Sequence, residues 1–384
     1  MFDFPFTEPN TVSSLLLLIM YFTIIVMNKT SLIYYDEDND DDTYLSSKEK
    51  INIAIIGLFL CCFCIDGDFF RFMEVIHDYD FTLNAYNYGE AIYGYIAQIT
   101  ERNYFLFRII VWGSAFVLFC ISSKRFGINI YLSTLYLFAT YPVIFSYARV
   151  TLCMSICFLA FSYICCPIRN RIISFFIALL LFFISTFFHT SSYIMLAMSL
   201  MVIIPLNKKS FIILLLCLPI LIVLFQDIFL YTAQQDIFFS DEQLNERLIR
   251  NADSYNVIKG FDINTPGVFL QTILQYISFY IPIFYIIKVS LFSTSQELID
   301  NGIFKLIKIM TGFLLLSTIF FFFKSGSFVM FYRVLFMTMI PIVFVVCYMR
   351  QQNIMSESEY RKCLFSGIIY SSIRIFYCFY GYGM

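Results

Sequence analysis

Charge is what this sequence lacks. Only 14% of its 384 residues are Asp, Glu, Lys or Arg, where a water-soluble domain carries about 25%, so there is too little polar side chain to cover a soluble surface. An ordinary soluble domain is excluded. Also missing is a basic tract: the net charge is −2 and the Lys and Arg are dispersed along the chain, which gives no case for nucleic acid as a partner. There is no phosphate-cradling Gly-rich loop, nucleotide fold or internal repeat of fixed period. The twelve Cys lie almost entirely inside apolar runs, where a thiol behaves as a small buried hydrophobe, and this excludes a disulfide scaffold. Cys61, Cys62 and Cys64 have the wrong spacing for a CxxC zinc or redox pair, and no second pair completes a site.

What is present is apolar: 60% hydrophobic and 20% aromatic residues, with a mean hydropathy of +0.78. A bilayer core of ~30 Å needs about 20 mainly apolar residues per helix. On that basis the chain reads as a single all-α polytopic membrane domain over 1–384, a helix bundle of about twelve spans. They fall near 12–28, 51–65, 104–122, 127–147, 150–167, 171–188, 190–206, 210–231, 267–288, 303–323, 327–349 and 364–382. The unbroken apolar run of 171–206 reads either as two spans pinched at His189 or as a re-entrant hairpin. The first span is expected to stay in place as a helix, because Asp3 and Glu8 precede it and no basic region does.

Basic residues fall in alternate loops: Lys29, Lys48 and Lys50; Lys124 and Arg125; Arg169 and Arg171; Lys208 and Lys209; Lys288, Lys305 and Lys308; Arg350, Arg361 and Lys362. In a twelve-span chain all of them share one side, which the positive-inside rule makes cytoplasmic, with both termini outside. Residues 29–50 form an acidic cytoplasmic loop around Asp36–Asp42, read as a solvated turn. Residues 66–103 and 232–266 are then the two large external segments. The first is aromatic and reads as amphipathic helices against the membrane face; the second reads as a cap over the same face.

Ionisable side chains in or beside the spans are expensive and mark function. Asp66 and Asp68 follow the second span as Asp-x-Asp, able to hold a divalent cation or to divide acid and base roles, or simply to cap a helix. Glu90 lies among three Tyr in NYGEAIYGY, where rings suited to stacking on sugars surround a carboxylate able to accept a proton; an interfacial aromatic belt explains the Tyr but not the Glu. Arg149, in an external turn, suits bidentate recognition of a diphosphate, with snorkelling as the plain alternative. His189 interrupts a strongly apolar stretch beside Thr190, Ser191 and Ser192, a setting that also fits a hydrogen-bonded structural imidazole. Arg333 lies near the external end of the eleventh span, with Lys324 in the turn before it. Arg108 and Arg374 also lie within spans but have no comparably informative neighbours in sequence.

Ordered along the chain, these residues carry a resemblance. Gly67-Asp68-x-x-x-Phe72 resembles the Gly-Asp-x-x-x-Tyr motif of the EpsG family of bacterial polysaccharide polymerases, which are Wzy-like multispan proteins. Glu90-Ala-Ile-Tyr93 is similar to the family's Glu-Pro-Gly-Tyr segment, and Arg149-Val-Thr-Leu-Cys153 to its Arg-Gln-x-x-Ala helix start, lacking the Gln and the Ala. Phe188-His189-Thr190-Ser191 matches Phe-His-x-Ser, and Tyr332-Arg333 a late Tyr-Arg.

The resemblance implies an enzyme that joins polyprenyl-diphosphate-linked oligosaccharide repeat units by glycosyl transfer on the external face of the bacterial plasma membrane, in capsule, exopolysaccharide or O-antigen synthesis. It implies a flippase and a chain-length regulator of the same pathway as partners, and no cofactor. The residues then take roles: Arg149 and Arg333 on the diphosphate, Tyr332 and Tyr93 on substrate, Asp68 or Glu90 as base, His189 orienting or sharing the proton. No metal is expected, Asp66 and Asp68 being its ligands if there is one. Two other classes fit the composition: a flippase or transporter of the lipid-linked glycan, and a membrane glycosyltransferase or acyltransferase that decorates it.

Overall fold

The computed structural model describes residues 11–33, 45–62, 76, 91–146, 148–189, 191–203, 279–290, 302–321, 334 and 336–380, and every regular element among them is helical. The α-helices are α1 (Thr11–Met27), α2 (Lys29–Ile33), α3 (Ser47–Cys62), α4 (Ala91–Ile99), α5 (Tyr104–Arg125), α6 (Ile130–Thr140), α7 (Ala148–Cys165), α8 (Arg171–Thr186), α9 (Ser191–Met198), α10 (Phe279–Ser290), α11 (Gly302–Phe321), α12 (Met339–Gln351) and α13 (Glu357–Tyr380). Short 3-10 helices occupy Pro142–Ser146 and Ser199–Val202. Among the described residues, one helix is long and apolar enough by itself to cross a membrane, Tyr104–Arg125. At 1.5 Å per residue its 22 residues span about 33 Å.

The sequence punctuates these helices clearly. Asn103, Asn129 and Asn170 each cap the start of the next helix, the side-chain oxygen accepting from the second and third backbone N–H groups. Ser46 with Glu49, and Ser356 with Glu359, form reciprocal capping boxes at α3 and α13. The end of α5 is closed by Gly127 in the left-handed region at φ +72°, with the N–H of Ile128 returning to the Ser123 carbonyl at 3.0 Å.

Two helices organise the bundle. Residues Tyr131–Thr140 of α6 are all buried, and α6 packs against α1, α2, α3, α5, α12 and α13. Next in the chain, α7 packs against α5, α8, α9 and α11. The single span expected over 127–147 is interrupted between them. Pro142 has no N–H to continue the α6 ladder, and Tyr141 before it leaves the helical region at φ −137°, ψ 43°. The carbonyls exposed by this break are satisfied from other helices: the Tyr21 hydroxyl of α1 donates to Ala139 O, and Ser371 Oγ of α13 donates to Thr140 O at 2.5 Å. Such closure is required of backbone broken away from water. Close approach at the second contact needs Gly367, where a Cβ would meet Thr140 at 2.4 Å.

Helix α8 shows which solvent surrounds the bundle. Ser174, Ala178, Phe182 and Ser185 are buried on its inner side, while Ile172, Phe175, Phe176, Leu180 and Phe183 are exposed. Five large hydrophobics outward, with three small residues and one Phe inward, reverse the pattern of a water-soluble helix and follow that of a helix facing lipid.

Helix ends depart from the expected spans in other places. Within the run 171–206 the described residues fold as two helices with a turn at His189, and that turn touches Cys153, about one and a half turns from the start of α7. The second of these helices turns 3-10 at Ser199–Val202. The 29–50 loop is shorter than expected, because α2 and the start of α3 take its two ends. Of the two segments expected to be external, 91–103 is described and is partly helical, while 232–266 lies outside the described residues, as does Asp36–Asp42 of the acidic loop.

Candidate functional site

The two ends of the bundle are identified by the contacts across them. At one end, which we term the basic end, Arg125 of α5 binds Cys166 O at 2.9 Å and Lys305 of α11 binds Cys165 O at 3.2 Å. Asn129 N meets Gln351 Oε1 at 3.0 Å, and Lys288 pairs with Glu359 at 2.9 Å. A buried cluster of Asn28, Asn52 and Tyr131 joins α1, α3 and α6 there, Tyr131 donating to Asn28 Oδ1 at 2.7 Å. Arg125, Lys288 and Lys305, from two of the alternate loops, thus lie at this end.

The opposite end holds the candidate site, built on aromatic side chains. Tyr93 of α4 is fully buried, its ring centroid 6.3 Å from Phe107 of α5 and 5.9 Å, edge-on, from Phe188. Phe188 precedes His189, so this packing joins α4, the first turn of α5 and the histidine turn. Arg108, one residue after Phe107, is only 1% exposed. Its guanidinium lies 4.2 Å from the Trp112 ring centroid and 5.7 Å from that of Tyr104, one turn to either side on the same face of α5. Nε donates to Cys61 O at 2.6 Å, pinning the last turn of α3, and Nη1 reaches the Tyr104 hydroxyl at 3.4 Å. Asp66 and Asp68 follow Cys61 in the chain by five and seven residues.

His189 is half-buried, and its ring starts α9. The backbone N–H of Ser191 approaches Nδ1 at 3.0 Å, with Ser191 Oγ at 2.8 Å from the same atom. A backbone N–H can only donate, so Nδ1 accepts and the neutral ring carries its proton on Nε2. The histidine's carbonyl is held by Cys153 Sγ at 3.7 Å and by Ser192 N at 3.2 Å. Cys153 lies one turn after Arg149, which stands in the first turn of α7.

The structure therefore brings together Tyr93, His189 and the helix start that carries Arg149. The Arg149 side chain, and the whole of Asp66, Asp68, Glu90, Tyr332 and Arg333, lie outside the described residues. Sequence reasoning passed over Arg108. Its signal was present, since Tyr104, Arg108 and Trp112 recur every four residues and so share one helical face. Among the described residues no group of His, Cys, Asp or Glu has the arrangement of a metal site.

A lipid-facing helical bundle with a buried cation and an imidazole towards one end defines a membrane protein. The chain belongs to the EpsG family, whose model matches residues 67–383, and the family identifies it in general terms as a Wzy-like polysaccharide polymerase. No match was found among curated proteins or among solved structures.

Proposed function

We propose that this protein polymerises oligosaccharide repeat units carried on polyprenyl diphosphate, at the external face of the bacterial plasma membrane. The observation that carries the reading is the meeting of Tyr93, His189 and the Arg149 helix start at the end opposite the basic one. By the positive-inside rule the basic end is cytoplasmic, which puts this site outside.

In the reaction the bond from the anomeric carbon to the diphosphate oxygen breaks, and a bond from that carbon to an acceptor hydroxyl forms. The hydroxyl proton goes to a base, and the polyprenyl diphosphate leaves with the bonding pair. Arg149 and Arg333 receive the charge that develops on the leaving group, as guanidinium suits a phosphate bidentately. Asp68 or Glu90 takes the proton. His189, its Nδ1 already accepting, presents an Nε2–H that donates to a sugar or phosphate oxygen and orients it. Tyr93 packs behind the site and fixes its shape, while the buried Arg108 acts as a positioning residue through the end of α3. The donor is already activated, so no nucleotide enters. Capsule, exopolysaccharide and O-antigen remain the pathway classes, with a flippase upstream and a chain-length regulator beside the polymerase.

The test is the glycan profile of deletion cells complemented with wild type, Arg149→Ala, His189→Ala or Asp68→Asn at matched membrane abundance. Single lipid-linked units on the outer face without polymer, rescued by wild type alone, support the reading. Units trapped facing the cytoplasm overturn it in favour of a flippase, and full-length polymer lacking one sugar or acyl group overturns it in favour of a decorating transferase.

A further inference from the structure

We infer that the junction where α7, α11 and the 3-10 turn Ser199–Val202 meet at the basic end binds the headgroup of an anionic phospholipid. Three cations gather there. Lys305 Nζ lies on Cys165 O, Arg125 Nη2 on the next carbonyl, Cys166 O, and Lys308, one turn beyond Lys305, lies 3.2 Å from Val202 O. Arg125 is held further by Ser162 Oγ at 2.8 Å and by the Tyr163 ring, 3.6 Å below its guanidinium carbon. Among the described residues none of the three makes an ion pair; the two ion pairs described there are Lys288–Glu359 and Arg361–Glu357.

The simplest role for such cations is to close the C-terminal ends of α7 and of the 3-10 turn. That leaves charge over. A helix end contributes about half a negative charge, so two ends offset roughly one of the three positive charges. Each lysine ammonium has three N–H donors and spends one on its carbonyl. The remaining donors suit phosphate oxygens.

The apolar surroundings select a lipid over a free anion. Ile203, next to the carbonyl that holds Lys308, is 80% exposed, and Leu200 in the same turn is 64% exposed. Isoleucine and leucine left open within two residues of the carbonyl that holds an ammonium group provide an acyl-chain surface beside a headgroup site, and basic pockets between helices on the cytoplasmic side take anionic headgroups. The inference rests on the membrane placement and on the sidedness of the basic end, and is independent of the polymerase chemistry.

The purified full-length protein in neutral detergent tests it, by thermal unfolding against dioleoylphosphatidylglycerol, dioleoylphosphatidylcholine and inorganic phosphate. Phosphatidylglycerol should raise the midpoint, and the other two should not. Lys305→Gln/Lys308→Gln should weaken the response about 30-fold in lipid concentration, from roughly a fivefold change per charge at the surface. Lys305→Arg/Lys308→Arg and the distant Lys288→Gln should retain it. An unchanged response in the double Gln variant overturns the proposal, as does an equal response to phosphatidylcholine or phosphate, or an equal loss in Lys288→Gln. If the Gln variant does not fold, wild type decides: a response that persists undiminished from 0.05 to 0.5 M NaCl, a range in which screening shortens by about threefold, also overturns it.

Discussion

The two ends of the bundle use polar side chains differently. At the basic end they finish helices: Ser46 with Glu49, Ser356 with Glu359, Asn129 and Asn170 cap starts, while Arg125, Lys305 and Lys308 sit on terminal carbonyls. Most of these groups are partly or fully exposed to water, so each contributes little individually. At the other end Arg108 is buried between Tyr104 and Trp112, and His189 is half-buried beside Ser191. Burying a guanidinium is costly without close partners, so it is retained where its position matters to something else. A charge at the wet end of a helix is thus an architectural device, whereas one enclosed by aromatic rings fixes a shape. Substitutions at the far end should therefore change chemistry at constant abundance, and those at the basic end should change abundance at constant chemistry.

The largest effect expected is at His189. His189→Ala should lower polymer formation by about 10²–10⁴-fold, the range for a positioned proton-handling group. His189→Asn retains a carbonyl that can accept from Ser191 N, so it should keep α9 capped and the protein abundant while remaining inactive. Polymer output per molecule, normalised by immunoblot of membranes, checks this; a normal rate in His189→Asn would make the ring a helix cap and nothing more.

Arg108 comes next. Arg108→Lys keeps the charge but loses the planar contact with Trp112 and the Nε donor to Cys61 O. We expect about 10²-fold less polymer, comparable to losing one preorganised donor, with the fluorescence of Trp112, the single Trp of the chain, changed. Equal polymer with an altered spectrum would show that Arg108 is structural only.

Gly367→Val tests the hub that connects the ends. A Cβ at this position already meets Thr140 at 2.4 Å, so α13 must move away from α6 and the Ser371 hydroxyl from Thr140 O. Overpacking of this kind costs about 1–3 kcal/mol. Lower thermal stability and abundance are expected, with surviving molecules polymerising at the normal rate.

Much of this was legible in the sequence. Amphipathic alternation is of no use in a chain that is apolar throughout, yet the long apolar runs placed many of the helices, and the alternation of Lys and Arg grouped Arg125, Lys288, Lys305 and Lys308, which lie at one end of the bundle; the Asn and Ser-x-x-Glu caps went unread. His189 was readable because a lone imidazole interrupts an apolar run. The break at Pro142 was hidden within continuous hydrophobicity: that its freed carbonyls find Tyr21 and Ser371 depends on contacts 118 and 231 residues away in sequence. Arg108 was missed for a related reason. Its aromatic neighbours one turn away on either side are readable at a spacing of four, but its partner on α3, the Cys61 carbonyl, is 47 residues distant.

The smallest effect expected is at the basic end and depends on pH. The hydrogen bond from Lys288, aided by those from Ser356, holds the Glu359 carboxyl below its ordinary value, and the same bond raises Lys288 above its own. A lowered carboxylate contributes stability that is complete above its unfolded pKa of about 4.3 and is lost as pH falls through the lower folded value. A raised lysine contributes stability that is complete below about 10.4 and is lost as pH rises through the higher folded value. Between these limits the pair is fully formed, so Lys288→Gln should lower the unfolding midpoint slightly and by a constant amount across neutral pH, with the difference from wild type narrowing in acid as Glu359 protonates. Because Lys288 is open to water, salt should shrink that difference as well. Polymer formation should be unaffected, and a Lys288→Gln protein that kept its midpoint but lost activity would break the division between the ends.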